Sequence, residues 1–269
     1  MIGLGVAVAE SVPEGTPVLF QGDFSEIIPK VAEIGYDAVE VHVQYPDQVN
    51  VEAWKETCEK YGIQVASLAS GSAYLAEGIS LTHRDPEKRR LAVERMKGHI
   101  RLAQKLGALA TIGVLKGFAS ECGSKEEFVE NYRESLEECI PYAEERGVTI
   151  AMECVNRKES DTFNTIAQCA DFVRSFHSDA LRIYIDTYHM DLEETDIPSA
   201  IRGAADMIAY AQISDRNRHY PDGQHCDMRL TTDTLKEIGY QGYLSLECRP
   251  EPTGEDAARK GLAFLKSLL

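Results

Sequence analysis

The segment Gly107-Ala108-Leu109-Ala110-Thr111-Ile112-Gly113-Val114-Leu115, the charged stretch Ser124–Arg146, and Gly147-Val148-Thr149-Ile150-Ala151-Met152-Glu153-Cys154 decide the fold. The two outer runs are short, apolar and branched, with little polar alternation, as strands buried on both faces are. The stretch between them carries a helical pattern and stops at a glycine, a residue suited to helix C-termini. Strand, helix, strand with a long crossover describes a parallel pair.

Working outward, the same unit recurs. Apolar runs occupy Ile2–Ala9, Asp37–Val43, Ile63–Ala69, Leu109–Leu115, Val148–Cys154, Leu181–Asp186, Met207–Ser214 and Gly242–Cys248. The spacing predicts helices over Phe24–Ile34 (capped by Asp23), Val51–Tyr61, a long one opened by Asp85-Pro86 and ending near Gly107, and Ser124–Arg146. Further helices are predicted over Asn164–His177, Glu193–Ala205, Thr231–Ile238 and Gly254–Leu268. Eight alternations over 269 residues predict a single (β/α)8 TIM barrel spanning 1–269. A doubly wound open sheet is the competitor, but no Gly-x-Gly-x-x-Gly follows the first strand.

Composition narrows the function. The net charge of −16 argues against nucleic acid as a partner, because phosphate binding needs a basic face. No apolar stretch approaches the ~20 residues that span a bilayer. Met1-Ile2-Gly3-Leu4 carries no basic leader. Seven cysteines, odd in number and without Cys-x-x-Cys, read as reduced thiols of a cytoplasmic protein.

In a barrel, chemistry sits at the C-terminal ends of the strands. There the sequence places Glu153, Asp186, Gln212 and Glu247, each in a run otherwise fit for burial. One such carboxylate alone would pair with an Arg or Lys. Converging carboxylates at matching depth call for a divalent cation, and all-oxygen ligands favour Mg²⁺ or Mn²⁺.

These residues also carry a resemblance. Glu153-Cys154-Val155-Asn156-Arg157-Lys158-Glu159 resembles the Glu-x-x-Asn-Arg-x-Glu stretch of the ketose 3-epimerases. Asp186-Thr187-Tyr188-His189-Met190-Asp191-Leu192-Glu193-Glu194 is similar to their Asp-Thr-Phe-His-Met-Asn-Ile-Glu-Glu segment. Ser214-Asp215-Arg216-Asn217-Arg218, Pro221-Asp222-Gly223 and Leu246-Glu247 resemble their last two catalytic strands and loops. The chain thus resembles the xylose isomerase-like TIM barrel superfamily, in its tagatose/psicose 3-epimerase branch.

The resemblance implies that Glu153, Asp186, Gln212 and Glu247 ligate one divalent cation, Mn²⁺ or Mg²⁺, with Co²⁺ also possible. Glu153 and Glu247 would double as the acid/base pair. His189 and Arg218 would hold the sugar's oxygens, and Glu159 would orient its far side. A homodimer or homotetramer is implied as well. One position departs from the pattern: the epimerases use His where Gln212 stands. The hydroxypyruvate isomerase-like branch uses Gln there. That keeps open an isomerase of a small hydroxy-keto acid, and an inosose-type dehydratase on the same barrel. Endonuclease IV shares the barrel, but needs a His-rich zinc cluster that these strand ends lack.

Weaker candidates follow from position. Lys116, just past the fourth run, would point into the mouth and meet a sugar hydroxyl or acid group; Arg249 invites the same reading. His42 ends the second run beside Glu40 and is either a wall residue or a substrate contact. Ser67 and Ser70 would line the pocket. The long segment Gly71–Asp85, with Tyr74 and Leu75, would be a surface loop or a lid. Cys154 and Cys248 alternate with proposed ligands, so they are expected to face the outer core. Trp54 is expected to pack.

Overall fold

The computed structural model describes residues 2–269. Nine parallel strands form one sheet: β1 (Gly3–Ala9), β2 (Phe20–Gln21), β3 (Ala38–His42), β4 (Gln64–Ala69), β5 (Leu109–Ile112), β6 (Ile150–Glu153), β7 (Leu181–Asp186), β8 (Ile208–Ile213) and β9 (Tyr243–Leu246). β1 pairs with both β3 and β9, which closes the eight long strands into a barrel. β2 is a two-residue spur on the outer end of β1, pairing Val8 with Phe20. The apolar periodicity does not announce it, since two residues carry no period.

Around the barrel run α1 (Phe24–Ile34), α2 (Val51–Tyr61), α3 (Ser72–Glu77), α4 (Pro86–Leu106), α5 (Lys125–Glu144), α6 (Ile166–Arg174), α7 (Thr187–Glu193), α8 (Ile197–Gly203), α9 (Met228–Glu237) and α10 (Gly254–Leu268). Their starts are written in the chain. Asp23, Asn50, Asp85, Ser124, Thr165, Asp196, Asp227 and Thr253 each accept a hydrogen bond from a first-turn N–H. Gly62 and Gly107 end α2 and α4 in the left-handed region at φ 68° and 69°, where a side chain would be strained. Among the described residues no helix is long and apolar enough to cross a membrane.

Two boundaries differ from expectation. Of the predicted helix Glu193–Ala205 only α8 (Ile197–Gly203), capped by Asp196, forms as such, and Glu193 instead ends α7, a separate helix that the periodicity did not predict. The predicted loop 71–85 contains α3, whose Leu75 is exposed at the barrel mouth.

Two clusters of the core bear on the site. The larger lies between sheet and helices and takes in Trp54, stacked on Phe24 at 4.0 Å, together with Cys154 and Cys248. The smaller fills the barrel: Ala38, Ala66, Ala151, Tyr184 and Tyr210. Small residues here leave room for the two tyrosines, whose rings meet edge to face at 6.1 Å. This inner layer fixes what comes above it. Strand side chains alternate, so residues two steps on from inner-layer residues also point inward. On β3, β6, β7 and β8 those residues are Glu40, Glu153, Asp186 and Gln212; β4, whose register with β3 shifts at Val39/Glu40, departs from the rule, and Leu68 joins the outer core.

Candidate active site

The inward positions above the inner layer open into a cavity of about 290 Å³, lined by Glu40, His42, Glu153, His189, Arg218 and Glu247 among others. The carboxylates among these inward residues are buried. Glu153 is 8% exposed, Asp186 and Glu40 are fully buried, and Glu247 is 7% exposed. Acidic groups so placed need partners.

Arg218 is the chief one. Its Nη1 donates to Asp186 Oδ2 and, at 2.8 Å, to Glu247 Oε2. Its Nη2 lies 3.0 Å from His189 Nε2 and 3.7 Å from Glu159 Oε2. The Tyr188 ring covers the guanidinium at 4.4 Å. Burial works against its charge, but Asp186, Glu247, Glu159 and Glu153 raise its pKa above the usual arginine value. Arg218 and Asn217 both hold positive φ, 61° and 71°, in the turn closed by Asp215 and His219. Strain of this kind in non-glycine residues persists where surrounding contacts enforce it. Here it turns Arg218 inward. The sequence placed Arg218 against sugar oxygens; the structure joins it to two of the four proposed metal ligands.

Glu153 Oε1 stands 3.2 Å from His189 Nε2, and His189 Nδ1 is 2.6 Å from the Asn156 amide. Burial alone would raise the Glu153 carboxyl; the hydrogen bond and charge of His189, with Arg218, hold it down at about 2. Asp186 has a second task. Its Oδ1 accepts from Tyr188 N at 2.9 Å and caps α7, which tethers the carboxylate to the first turn of that helix. Arg157, from the same motif, clamps Glu193 at 2.7 Å, joining the loop after β6 to the end of α7.

Gln212 donates Nε2 to Glu40 Oε1 at 2.6 Å, and Tyr210 donates to Glu40 Oε2 at 3.0 Å. Gln212 Oε1 is buried with no hydrogen-bond partner. His42 Nε2 lies 3.5 Å from Glu247 Oε1 and 3.7 Å from Glu40 Oε1. Burial and the charge of Glu247 push the Glu40 carboxyl up to about 7.

These groups fit a cation. Ligand atoms of Glu153, Asp186 and His189 lie within 4.8 Å of one another, as do those of Glu40, His42 and Glu247. Two carboxylates already converge on a single cationic nitrogen of Arg218. The buried Gln212 oxygen, left without a hydrogen-bond partner, is one more oxygen that such a cation could use. Glu153 and Asp186 with His189, and Glu247 with Glu40 and His42, are the groups whose ligand atoms lie close enough to share an ion.

Of the other candidates, Glu159, His42 and Arg249 line the cavity, as do Ser70 and Leu75. Lys116 does not. β5 ends at Ile112, and the chain turns at Gly113 into a 3₁₀ turn over Val114–Lys116. The Lys116 carbonyl is held by Thr82 at 2.7 Å, and its side chain is 1% exposed, toward Cys169 and Cys154, with Nζ unpartnered. An apolar run read as strand through Leu115 placed it two or three residues too far up the wall. Glu40 is the converse case. It is in phase with His42, and that phase was the signal that it faces inward.

The chain matches the xylose isomerase-like TIM barrel family model over residues 28–268. It belongs to that family. Among curated members, the L-ribulose 3-epimerase of Mesorhizobium japonicum is 27% identical, over 92% of this chain and 83% of that protein. The D-psicose 3-epimerase of Enterocloster bolteae is 27% identical, over 84% and 76%. Both are named for epimerising a ketose at carbon 3, and neither name is that of a keto-acid isomerase or a dehydratase. The crystal structure of D-allulose 3-epimerase from a Methylomonas species, in complex with D-allulose, superposes with a TM-score of 0.84 at 23% identity. It covers 100% of this chain and 97% of its own. At that identity the superposition speaks for the family's barrel fold.

Proposed function

We propose that this family member is a divalent-metal-dependent ketose 3-epimerase. The carrying observation is that Glu153 and Glu247, at the ends of β6 and β9, border one cavity together with Glu40, His42 and the His189–Arg218 pair, and that Arg218 joins Glu247 to the buried Asp186. The 3-epimerase relatives support the substrate class.

Glu153, Asp186, Gln212 and Glu247 would hold the metal. A bound Mn²⁺ or Mg²⁺ supplies polarisation of the substrate carbonyl and offsets negative charge developing on the oxygens. The hydrogen on carbon 3 of a ketose is acidic because it adjoins that carbonyl. One glutamate takes this proton from one face, and the other delivers a proton to the opposite face, inverting the centre. Glu153, held ionised by His189, is ready to accept a proton. His189, fixed by Asn156, and Arg218 offer donors to the substrate's oxygens. Glu159, His42 and Arg249 line the space left for the rest of the sugar or sugar acid. The oxygen-only ligand set supports Mn²⁺ or Mg²⁺ over Co²⁺.

Seven free cysteines support a reducing, cytoplasmic setting. A homodimer or homotetramer is the assembly we propose, measurable by light scattering.

Deuterium wash-in tests the reading. Metal-stripped protein is incubated in D₂O with free ketoses, ketose phosphates and hydroxypyruvate, with and without Mn²⁺. Metal-dependent exchange at carbon 3 with a new epimer is the expected result. Exchange only at carbon 1, or only in hydroxypyruvate, would replace the epimerase with an isomerase.

A further inference from the structure

We propose that Glu40 is a positioning residue that fixes the Gln212 amide with its carbonyl oxygen, and not its NH₂ group, offered to the metal. The inference rests on the reading of Gln212 as a ligand. A glutamine in that role has a difficulty that the histidine of the epimerase pattern lacks. Its amide has two ends of nearly equal size, and only the oxygen can ligate a cation. Rotation by half a turn about the last side-chain bond replaces a ligand with an N–H donor that repels the ion. Some neighbour must therefore distinguish the two ends.

Glu40 does so. It lies on β3 with no exposure, two residues beyond Ala38 of the inner layer. Its Oε1 accepts from Gln212 Nε2 at 2.6 Å, and its Oε2 accepts from Tyr210 Oη at 3.0 Å. Both carboxylate oxygens thus face donors, and the reversed amide would set oxygen against oxygen. Tyr210 and Gln212 are alternate residues of β8, so one carboxylate reads one face of that strand. β3 and β8 are not neighbours; β1 and β9 stand between them in the sheet. The bonds therefore cross the barrel interior, and no local feature of β8 supplies them. The consequence is visible in Gln212 Oε1, buried and left without a partner.

The same residues admit another reading. Ligand atoms of Glu40, His42 and Glu247 come within 4.8 Å of one another, which would suit a second cation. The hydrogen bonds decide against it. A cation on Glu40 Oε1 would lie against the positive end of the Gln212 N–H dipole, whose nitrogen already sits 2.6 Å from that oxygen. Glu40 acts through Gln212, behind the ligand layer. Partners of this kind change metal affinity by roughly 10–100-fold when removed.

The test is Mn²⁺ affinity of the metal-free protein, read from the EPR signal of free Mn²⁺, with no turnover involved. Glu40→Gln keeps the shape and loses the charge. Glu40→Asp keeps the charge and, one methylene shorter, withdraws from Nε2. Both are expected to weaken Mn²⁺ binding about tenfold. In a Gln212→Ala background, where no amide remains to orient, both should change affinity less than twofold. A Glu40→Asp variant that binds as the parent does would overturn the proposal. Equal losses with and without Gln212 would do the same, since Glu40 would then act by its charge alone. If Glu40→Gln does not melt cooperatively, Glu40→Asp carries the test. Absence of Mn²⁺ binding by the unsubstituted protein would instead remove the metal reading itself.

Discussion

Arg218 Nη1 and Glu247 Oε2, from two residues that line the cavity, meet at 2.8 Å, and the same nitrogen also donates to Asp186. One guanidinium, with a single positive charge, therefore serves two carboxylates. A divalent cation bound there would compete with the arginine for the same two groups.

From this competition a stability effect follows. In metal-free protein, Arg218→Ala leaves Asp186 and Glu247 buried without a counter-charge. Breaking a buried pair from one side costs about 3 kcal/mol. The expected outcome is a lowered urea midpoint for metal-free Arg218→Ala, with the deficit narrowing in saturating Mn²⁺. Equal deficits in both conditions would show that Arg218 and the ion do not share ligands.

Glu153→Gln and Glu247→Gln preserve shape and remove a proton-transfer group. Each is expected to slow epimerisation by about a thousandfold, with far-UV circular dichroism unchanged. The single-turnover rate of carbon-3 exchange is the measurement. A variant keeping a tenth of the parent rate would take that residue out of the acid/base pair.

Gln212→His replaces an amide with the ligand type of the epimerase pattern. One ring nitrogen can ligate while the other donates to Glu40, as Gln212 Nε2 does at 2.6 Å. Calorimetric titration should find Mn²⁺ affinity within about tenfold of the parent. Complete loss of binding with the fold intact would assign Gln212 a different task.

Lys116 gives a pH prediction. Burial lowers its pKa below the ordinary 10.5, and Nζ has no hydrogen-bond partner. Below pH 10.5 the unfolded chain therefore binds more protons at this residue than the folded one does. Its contribution to stability falls as pH drops from 10.5 toward the lowered folded value. Lys116→Met keeps the apolar stem and removes the penalty. Its melting temperature should exceed the parent's by about 4 °C near pH 7, and the gap should shrink toward pH 10. A gap independent of pH would mean that Lys116 is not charged differently in the two states.

Much of the barrel was legible because its signals are local. Gly62 and Gly107 end helices for reasons of backbone sterics, and Asp85 and Ser124 start them by capping. Glu153, Asp186, Gln212 and Glu247 were legible as polar breaks in runs otherwise fit for burial. Helix α7 was not, because seven residues carry too little period to stand out, and its cap is Asp186 itself. Lys116 was misplaced because apolar content does not separate a strand end from a buried 3₁₀ turn.

The sequence by itself determined the alternation, the strand phases and hence which side chains point into the barrel, since these follow from a residue's near neighbours. Only the tertiary structure decided which of those side chains meet. The bond from Glu40 to Gln212 spans 172 positions, and that from Arg218 to Asp186 depends on a left-handed turn whose Arg218 carbonyl accepts from Arg249 N at 2.7 Å, beyond its own segment. Such contacts exist only once the sheet has closed, because closure alone sets the distance between strands that are not neighbours.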